Sequence, residues 1–110
     1  MTDLAGRHTL PDGTAPRLSD AQVEQLMPEV PGWQVESGKL TREVQVKNFR
    51  EALVLVNGIG QIAEQQNHHP DISIFRWNYV RVELYTHTVE GLTENDFIMA
   101  AKFAEVLAPQ

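Results

Sequence analysis

Residues 48–84 have the sequence NFREALVLVNGIGQIAEQQNHHPDISIFRWNYVRVEL, and the predicted architecture follows from them. Asn48 with Glu51 three residues later is typical of a helix start, and Pro70 disfavours helical backbone at the residue before it. We therefore predict a long helix that begins after Asn48 and ends near Asn67. Its apolar residues recur at helical spacing, and four of them are predicted to form one stripe: Leu53, Val56, Gly60 and Ala63.

After Pro70 the sequence changes from a helical period to a strand period. Ile72 and Ile74 indicate a first strand, and a second strand alternates polar residues with the apolar residues Val80, Val82 and Leu84. Thr93 with Asp96 is the pattern of another helix start, where an acidic side chain also suits the helix dipole. This last helix is predicted to bury an apolar face made of Phe97, Ala100, Ala101, Ala104 and Leu107.

A short helix and two more strands are predicted before the long helix. Ser19 with Gln22 has the pattern of a capping box. Trp33 and Val35 alternate with polar residues and indicate one strand, and residues 40–46 indicate another. The order is α-β-β-α-β-β-α. Helices with one apolar face need a sheet to lie on, so we predict an α+β fold, a four-stranded antiparallel sheet with three helices on one face.

The domain boundary is predicted at Leu18. Residues 1–17 mix turn-forming residues with scattered apolar ones and show no period, which favours a flexible N-terminal extension. Residues 18–110 are expected to form one domain, because a chain of 110 residues has no room for two full cores.

Composition excludes several classes of function. The formal charge is −6, and no basic cluster exists, which argues against nucleic acid as a partner. Cysteine is absent, so disulfides, thiolate nucleophiles and Cys-based zinc sites are excluded. A chain of this kind suits a reducing cytoplasm, and no apolar run approaches the length that a membrane span requires, so no membrane partner is expected.

The candidate chemistry lies where predicted elements end. His68 and His69 follow the long helix, His87 ends the last strand on its polar side, and Asp96 opens the last helix. Imidazoles with one carboxylate form a plausible acid–base apparatus near neutral pH. A solvated or helix-capping His pair is the commoner role for such residues. A metal site is a third alternative, although adjacent histidines do not share a helix face.

Two neighbouring features have competing interpretations. Glu64 lies four residues before His68 on the same helix face, so it is placed either to orient that imidazole or to remain in solvent. Trp77 is either a stacking platform or a packing residue of the sheet.

The run Glu64-Gln-Gln-Asn-His-His-Pro70 resembles the signature of the pterin-4a-carbinolamine dehydratases. In that signature an aromatic residue, a His and an Asp follow at linked spacings. Here Trp77 follows Pro70 after six residues, His87 follows after nine more, and Asp96 after eight more. The resemblance covers about residues 18 to 108, and five positions at linked spacings are highly specific.

The resemblance implies a function as well as the fold. The family dehydrates 4a-hydroxytetrahydropterin to quinonoid dihydropterin, without a metal or organic cofactor, as a homodimer or homotetramer. Carried over by position, the catalytic residues would be His68, His69, His87 and Asp96. The residues expected to bind the pterin substrate are Glu64, Pro70, Asp71 and Trp77.

The same resemblance leaves a second function open. Some pterin-dehydratase-like bacterial proteins are carboxysome-associated Rubisco assembly factors, and such a protein is non-catalytic. Under that alternative the partner is a protein client such as Rubisco rather than a pterin. A mobile N-terminal arm or an apolar helix face would then provide the interaction surface.

Overall fold

The computed structural model describes residues 3–11 and 13–107. Parts of two predicted segments lie outside the described residues. These are residues 1, 2 and 12 of the predicted extension and residues 108–110 of the predicted domain. Within the described chain there are three α-helices and four β-strands, and the predicted order is confirmed. They are α1 (Asp20–Leu26), β1 (Gln34–Glu36), β2 (Lys39–Gln45), α2 (Phe49–Gln66), β3 (Asp71–Phe75), β4 (Tyr79–Leu84) and α3 (Glu94–Phe103).

The four described strands form one antiparallel sheet in the order β1-β2-β4-β3. In the central strand β4 the side chains alternate, and Val80, Val82 and Leu84 are fully buried under the helices. They meet Leu40 of β2 and the buried faces of α2 and α3 in one core. The predicted α+β architecture is therefore confirmed, and β3 lies at an edge of the sheet.

Helix α2 begins and ends where the sequence predicts, but it buries a different stripe. The side chain of Asn48 accepts a hydrogen bond from the backbone N–H of Glu51 at 2.8 Å, and Asn67 is the C-cap. The predicted stripe is wrong by about one residue, because the buried residues are Ala52, Leu55, Ile59 and Ala63. Both sets fit helical spacing, since this helix is apolar on more than one side. Among the described residues no helix is long and apolar enough to cross a membrane.

Helix α3 is buried on every side over its first half. Asn95 to Ala100 are six consecutive buried residues, although only some of them can face the sheet. The helix ends at Phe103, earlier than its predicted apolar face implies, and Ala104 is exposed.

The N-terminal segment covers the side of α3 that faces away from the sheet. Leu4 is buried in the core cluster, and the Lys102 ammonium donates a hydrogen bond to the carbonyl of Ala5. Arg7 forms an ion pair with Glu94. Among the described residues of the predicted extension, several therefore contact the domain, and the flexibility of residues 1–17 stays a prediction.

Candidate active site

The exit of the chain from α2 places two adjacent histidines in different environments. Asn67 has a left-handed backbone with φ of 53°, a conformation that Asn tolerates better than most residues. The next residue, His68, donates its backbone N–H to the carbonyl of Ala63. His68 is consequently directed inward and is 8% exposed, whereas His69 is directed toward solvent.

The chain beyond β4 supplies the other wall of the site. Thr86 continues the buried side of the strand and forms a bridge with Gly91. His87 was expected to end the strand, but β4 ends at Leu84 and His87 is the first residue of a short 3-10 turn that ends at Val89. Backbone hydrogen bonds between Thr86 and Gly91 close this turn.

The two segments enclose one cavity of about 210 Å³. It is lined by Asn67, His68, His69, Tyr85, Thr86, His87 and Thr88. The three histidines singled out from the sequence thus meet at one concavity. Its volume lies below the roughly 300–1,000 Å³ of typical ligand pockets, which suits a small heterocycle better than a large ligand.

Asp96 lies behind His68 and is completely buried. Its Oδ1 is 2.8 Å from Nε2 of His68, and its Oδ2 accepts hydrogen bonds from the Thr86 hydroxyl at 2.8 Å and the Thr93 backbone N–H at 2.9 Å. Thr86 and Thr93 also share a hydroxyl–hydroxyl bond of 2.9 Å. Because the Thr86 proton goes to Asp96, Thr93 is the donor in that bond. Both oxygens of the carboxylate therefore have hydrogen-bond donors inside the fold.

The hydrogen-bond partner assigns the tautomer of His68. A carboxylate only accepts hydrogen bonds, so Nε2 of His68 carries the proton that it shares with Asp96. In the neutral ring the lone pair is then on Nδ1. A buried carboxylate that is hydrogen-bonded to an imidazole holds the ring in one orientation, which is the positioning that a general base requires.

His69 has a different carboxylate partner. Its Nε2 lies 2.5 Å from Oε2 of Glu64, and both side chains are more than half exposed. The interpretation in which Glu64 orients His68 is therefore wrong, because the left-handed Asn67 redirects the chain. An exposed pair of this kind adds little stability, but it holds the ring at the rim of the cavity.

His87 is positioned by an aromatic neighbour. The rings of His87 and Tyr85 meet edge to face, with centroids 5.0 Å apart. The ammonium of Lys39 lies 5.8 Å from the centroid of the Tyr85 ring. Tyr85 thus connects the exposed imidazole to β2.

Trp77 does not line this cavity, and its expected contact with the substrate stays a prediction. It is 61% exposed and occupies the turn between β3 and β4 with φ of 57°. The cavity is at the other end of this hairpin, and the five residues of β3 span about 16 Å at 3.3 Å each. Pro70 and Asp71 follow His69 directly but do not line the cavity.

A larger cavity, of about 850 Å³, shares no residue with the histidine site. It lies between β2, α2 and the chain beyond α3, with Arg42 and Lys47 beside apolar residues. Burial lowers the pKa of the Arg42 guanidinium from its ordinary value. Across residues 3–11 and 13–107 no three His, Asp or Glu side chains are arranged as ligands of a metal ion.

Sequence reasoning did not identify Thr86, Thr93 and Tyr85 as parts of the site. The alternation of Val80, Val82 and Leu84 continues to Thr86, so the strand period places this hydroxyl on the buried face. A buried hydroxyl requires a partner, and Asp96 at the neighbouring helix start is an acceptor that the sequence analysis had already singled out.

The sequence of the chain resembles one family over most of its length. The model of the pterin 4 alpha carbinolamine dehydratase family matches residues 16–106. A protein from Rubrobacter xylanophilus that carries the pterin-4-alpha-carbinolamine dehydratase name is 44% identical over 104 residues, which cover 93% of this chain and 96% of that protein.

Two solved structures resemble the fold. A transcriptional coactivator/pterin dehydratase from Brucella melitensis has a TM-score of 0.78 and 30% identity, covering 84% of this chain and all of that one. A pterin dehydratase-like RuBisCO assembly factor of the alpha-carboxysome has a TM-score of 0.56 and 16% identity, covering 71% of this chain and 89% of that one. The second likeness concerns the fold alone.

Proposed function

Because the chain belongs to the pterin-4a-carbinolamine dehydratase family, we propose that it dehydrates a 4a-hydroxytetrahydropterin to quinonoid dihydropterin by acid–base catalysis. One observation carries the proposal. Three imidazoles from two separate segments border one small cavity, and a buried carboxylate holds one of them.

The reaction needs one base and one acid. The base removes the proton on N5, and the electron pair of that bond forms the double bond between N5 and C4a. The bond from C4a to the hydroxyl oxygen breaks, and the acid protonates this oxygen so that it leaves as water. Each proton transfer by a positioned side chain contributes about 10²–10⁴ in rate.

His68 is the proposed base. Its Nε2–H is held by Asp96, which leaves Nδ1 to accept the proton from N5, and Asp96 stabilises the imidazolium that forms. His69 or His87 is the proposed acid, since both line the cavity and both are accessible to solvent, from which they regain a proton.

Three of the four residues expected to bind the pterin have supporting roles in this proposal, whereas Trp77 is not given one because it does not line the cavity. Glu64 holds His69 at the rim through its hydrogen bond. Pro70 restricts the backbone of His69 and directs the chain into β3. Asp71 is exposed at the start of β3 and is proposed to contribute a contact at the edge of the site.

An assay on freshly prepared 4a-hydroxytetrahydropterin tests the proposal. We expect a rate above the uncatalysed reaction, and a loss of about 10²–10⁴ in kcat for His68→Ala, with losses also for His69→Ala and His87→Ala. Glu24→Ala is the control, because this exposed residue of α1 belongs neither to the cavity nor to the N-terminal segment. Folded protein with no rate above the uncatalysed reaction would exclude the dehydratase function.

A protein-binding role without catalysis is the second candidate. It is favoured by three large apolar side chains on the outer side of α2, namely Phe49 at 50% exposure, Leu53 at 44% and Val54 at 61%. Adjacent exposed apolar residues are typical of interaction surfaces. We propose either a client such as Rubisco or a second copy of this chain as the protein that covers these side chains.

Co-expression with Rubisco tests the assembly role. If the chain assists a client, soluble yield of that client rises with the unaltered chain and not with Val54→Glu. Gln25→Glu is the control, because it adds the same single negative charge at an exposed position of α1, outside this apolar surface. Equal client yield with and without the chain would exclude this role. The genes beside the gene for this chain provide a second test. A hydroxylase gene there favours the dehydratase function, and carboxysome genes there favour the assembly function.

A further inference from the structure

Two adjacent residues of the N-terminal segment connect the ends of two helices. Thr9 donates its hydroxyl to the carbonyl of Gln66 at 2.8 Å and its backbone N–H to the Gln66 side chain at 3.2 Å. Leu10 donates its backbone N–H to Oδ1 of Asn95 at 2.8 Å and accepts a bond from Nδ2 of Asn95 at 3.0 Å. Four hydrogen bonds therefore link this dipeptide to the end of α2 and the start of α3.

The two helix residues that are linked in this way stand next to the central pair of the site. Gln66 is the last residue of α2, two positions before His68. Asn95 directly precedes Asp96 and is almost completely buried. The hydrogen bond between His68 and Asp96 joins positions 28 residues apart, so its length depends on how the two helix ends lie relative to each other.

The rest of the segment is anchored beside the same helix. Arg7 pairs with Glu94, and Lys102 binds the carbonyl of Ala5, so the segment follows α3 along its outer side. On the other side, the backbone N–H of Leu18 donates to the carbonyl of Leu92 at 2.8 Å. The dipeptide is consequently held from both directions.

We propose that Thr9 and Leu10 form a brace that positions the His68–Asp96 pair, so that the N-terminal segment is a working part of the site. The brace touches neither the cavity nor the reacting imidazole, so these two residues and Asn95 are positioning residues. Their effect on catalysis rests on the proposed function, whereas their effect on the geometry of the pair does not.

The ring N–H of His68 provides a readout that is independent of activity. In the full chain, the Nε2 proton donated to buried Asp96 is expected to exchange slowly enough to give a resolved ¹H–¹⁵N signal. Asn95→Ala removes both bonds to Leu10, and we expect the exchange of this proton to accelerate by about tenfold or more. Thr9→Val removes the hydroxyl bond alone and should act in the same direction, whereas Thr9→Ser retains the hydroxyl and should restore slow exchange.

Activity and stability separate positioning from general destabilisation. We expect kcat to fall about tenfold in Asn95→Ala with a smaller change in KM, because the base is misplaced rather than removed. Ile59→Val is the control for lost stability. Ile59 is buried in α2, and it takes no part in the hydrogen bonds of Thr9 and Leu10. It should lower the unfolding midpoint without changing the exchange of the His68 proton.

The outcomes are distinct. Unchanged exchange in both Asn95→Ala and Thr9→Val would overturn the brace, and so would an equal acceleration in Ile59→Val. If the unaltered chain has no dehydratase rate while the His68 proton responds as expected, the brace stands and the proposed function falls.

Discussion

Nε2 of His68 lies 2.8 Å from Oδ1 of Asp96, and both side chains are buried. The pair joins the residue that follows the C-cap of α2 to the first turn of α3. Its second carboxylate oxygen is bound by Thr86 and Thr93, so the group that caps α3 also orients the imidazole. One carboxylate therefore couples the stability of a helix to the geometry of the candidate base.

Asp96→Asn is expected to damage both properties. The carboxylate accepts hydrogen bonds from three donors, whereas an amide has one oxygen, and its NH₂ cannot accept from His68, Thr86 or the Thr93 N–H. We expect a loss of about 1–3 kcal/mol in the free energy of unfolding, measured with urea, and a fall in kcat of about 10²–10⁴. Normal kcat in this variant would contradict the positioning role of Asp96.

Thr86→Val removes one donor to Asp96 with little change in volume. It leaves the carboxylate with an unsatisfied lone pair and the Thr93 hydroxyl without its acceptor. We expect unfolding to require about 1–3 kcal/mol less, with Thr86→Ser close to the unaltered chain because Ser keeps the hydroxyl. Chemical denaturation of the three proteins distinguishes the lost bond from lost packing, since an equal cost in Thr86→Ser would point to packing.

Asn67 provides a test of how the chain leaves α2. Its φ of 53° favours glycine over residues with a Cβ atom, so Asn67→Gly should be near neutral in stability. Asn67→Ala should lower the free energy of unfolding by about 1–2 kcal/mol. Alanine is strained in the left-handed conformation and lacks the side-chain hydrogen bonding that stabilises Asn there. If thermal unfolding shows equal midpoints for the two variants, the left-handed exit is not what directs His68 inward.

The exposed apolar residues of α2 predict self-association. If a second copy covers Leu53 and Val54, then Leu53→Lys with Val54→Glu should shift the chain to a monomer in light scattering after size exclusion. Gln25→Glu, at an exposed position on α1, should keep the original mass. An unaltered chain that is already a monomer at high concentration would count against this interface.

Local patterns in the sequence were sufficient for the elements. Ser19, Asn48 and Thr93 each precede a helix, because a cap depends on residues within one turn of each other. The alternation of β4 likewise depends only on the strand period and on one buried face. The buried stripe of α2 was not predictable in the same way, because a helix that is apolar on several sides fits more than one orientation.

Linear spacing misplaced residues whose position depends on the path of the chain. The spacing from Pro70 to Trp77 and His87 suggested one pocket, but a hairpin puts its turn and its open end on opposite sides. Glu64 and His68 have the spacing of helical neighbours. The backbone leaves the helix at Asn67, however, so Glu64 is hydrogen-bonded to His69 instead.

By itself the sequence determined the order of elements, the helix starts and the histidines and carboxylate worth testing, since these follow from short-range sterics and hydrogen bonding. Only the tertiary structure decided that Asp96 binds His68, that Thr86 completes the carboxylate, and that Thr9 and Leu10 link the two helix ends. Those contacts join residues far apart in the chain, and their geometry is set by how the helices lie on the sheet, which no local pattern encodes.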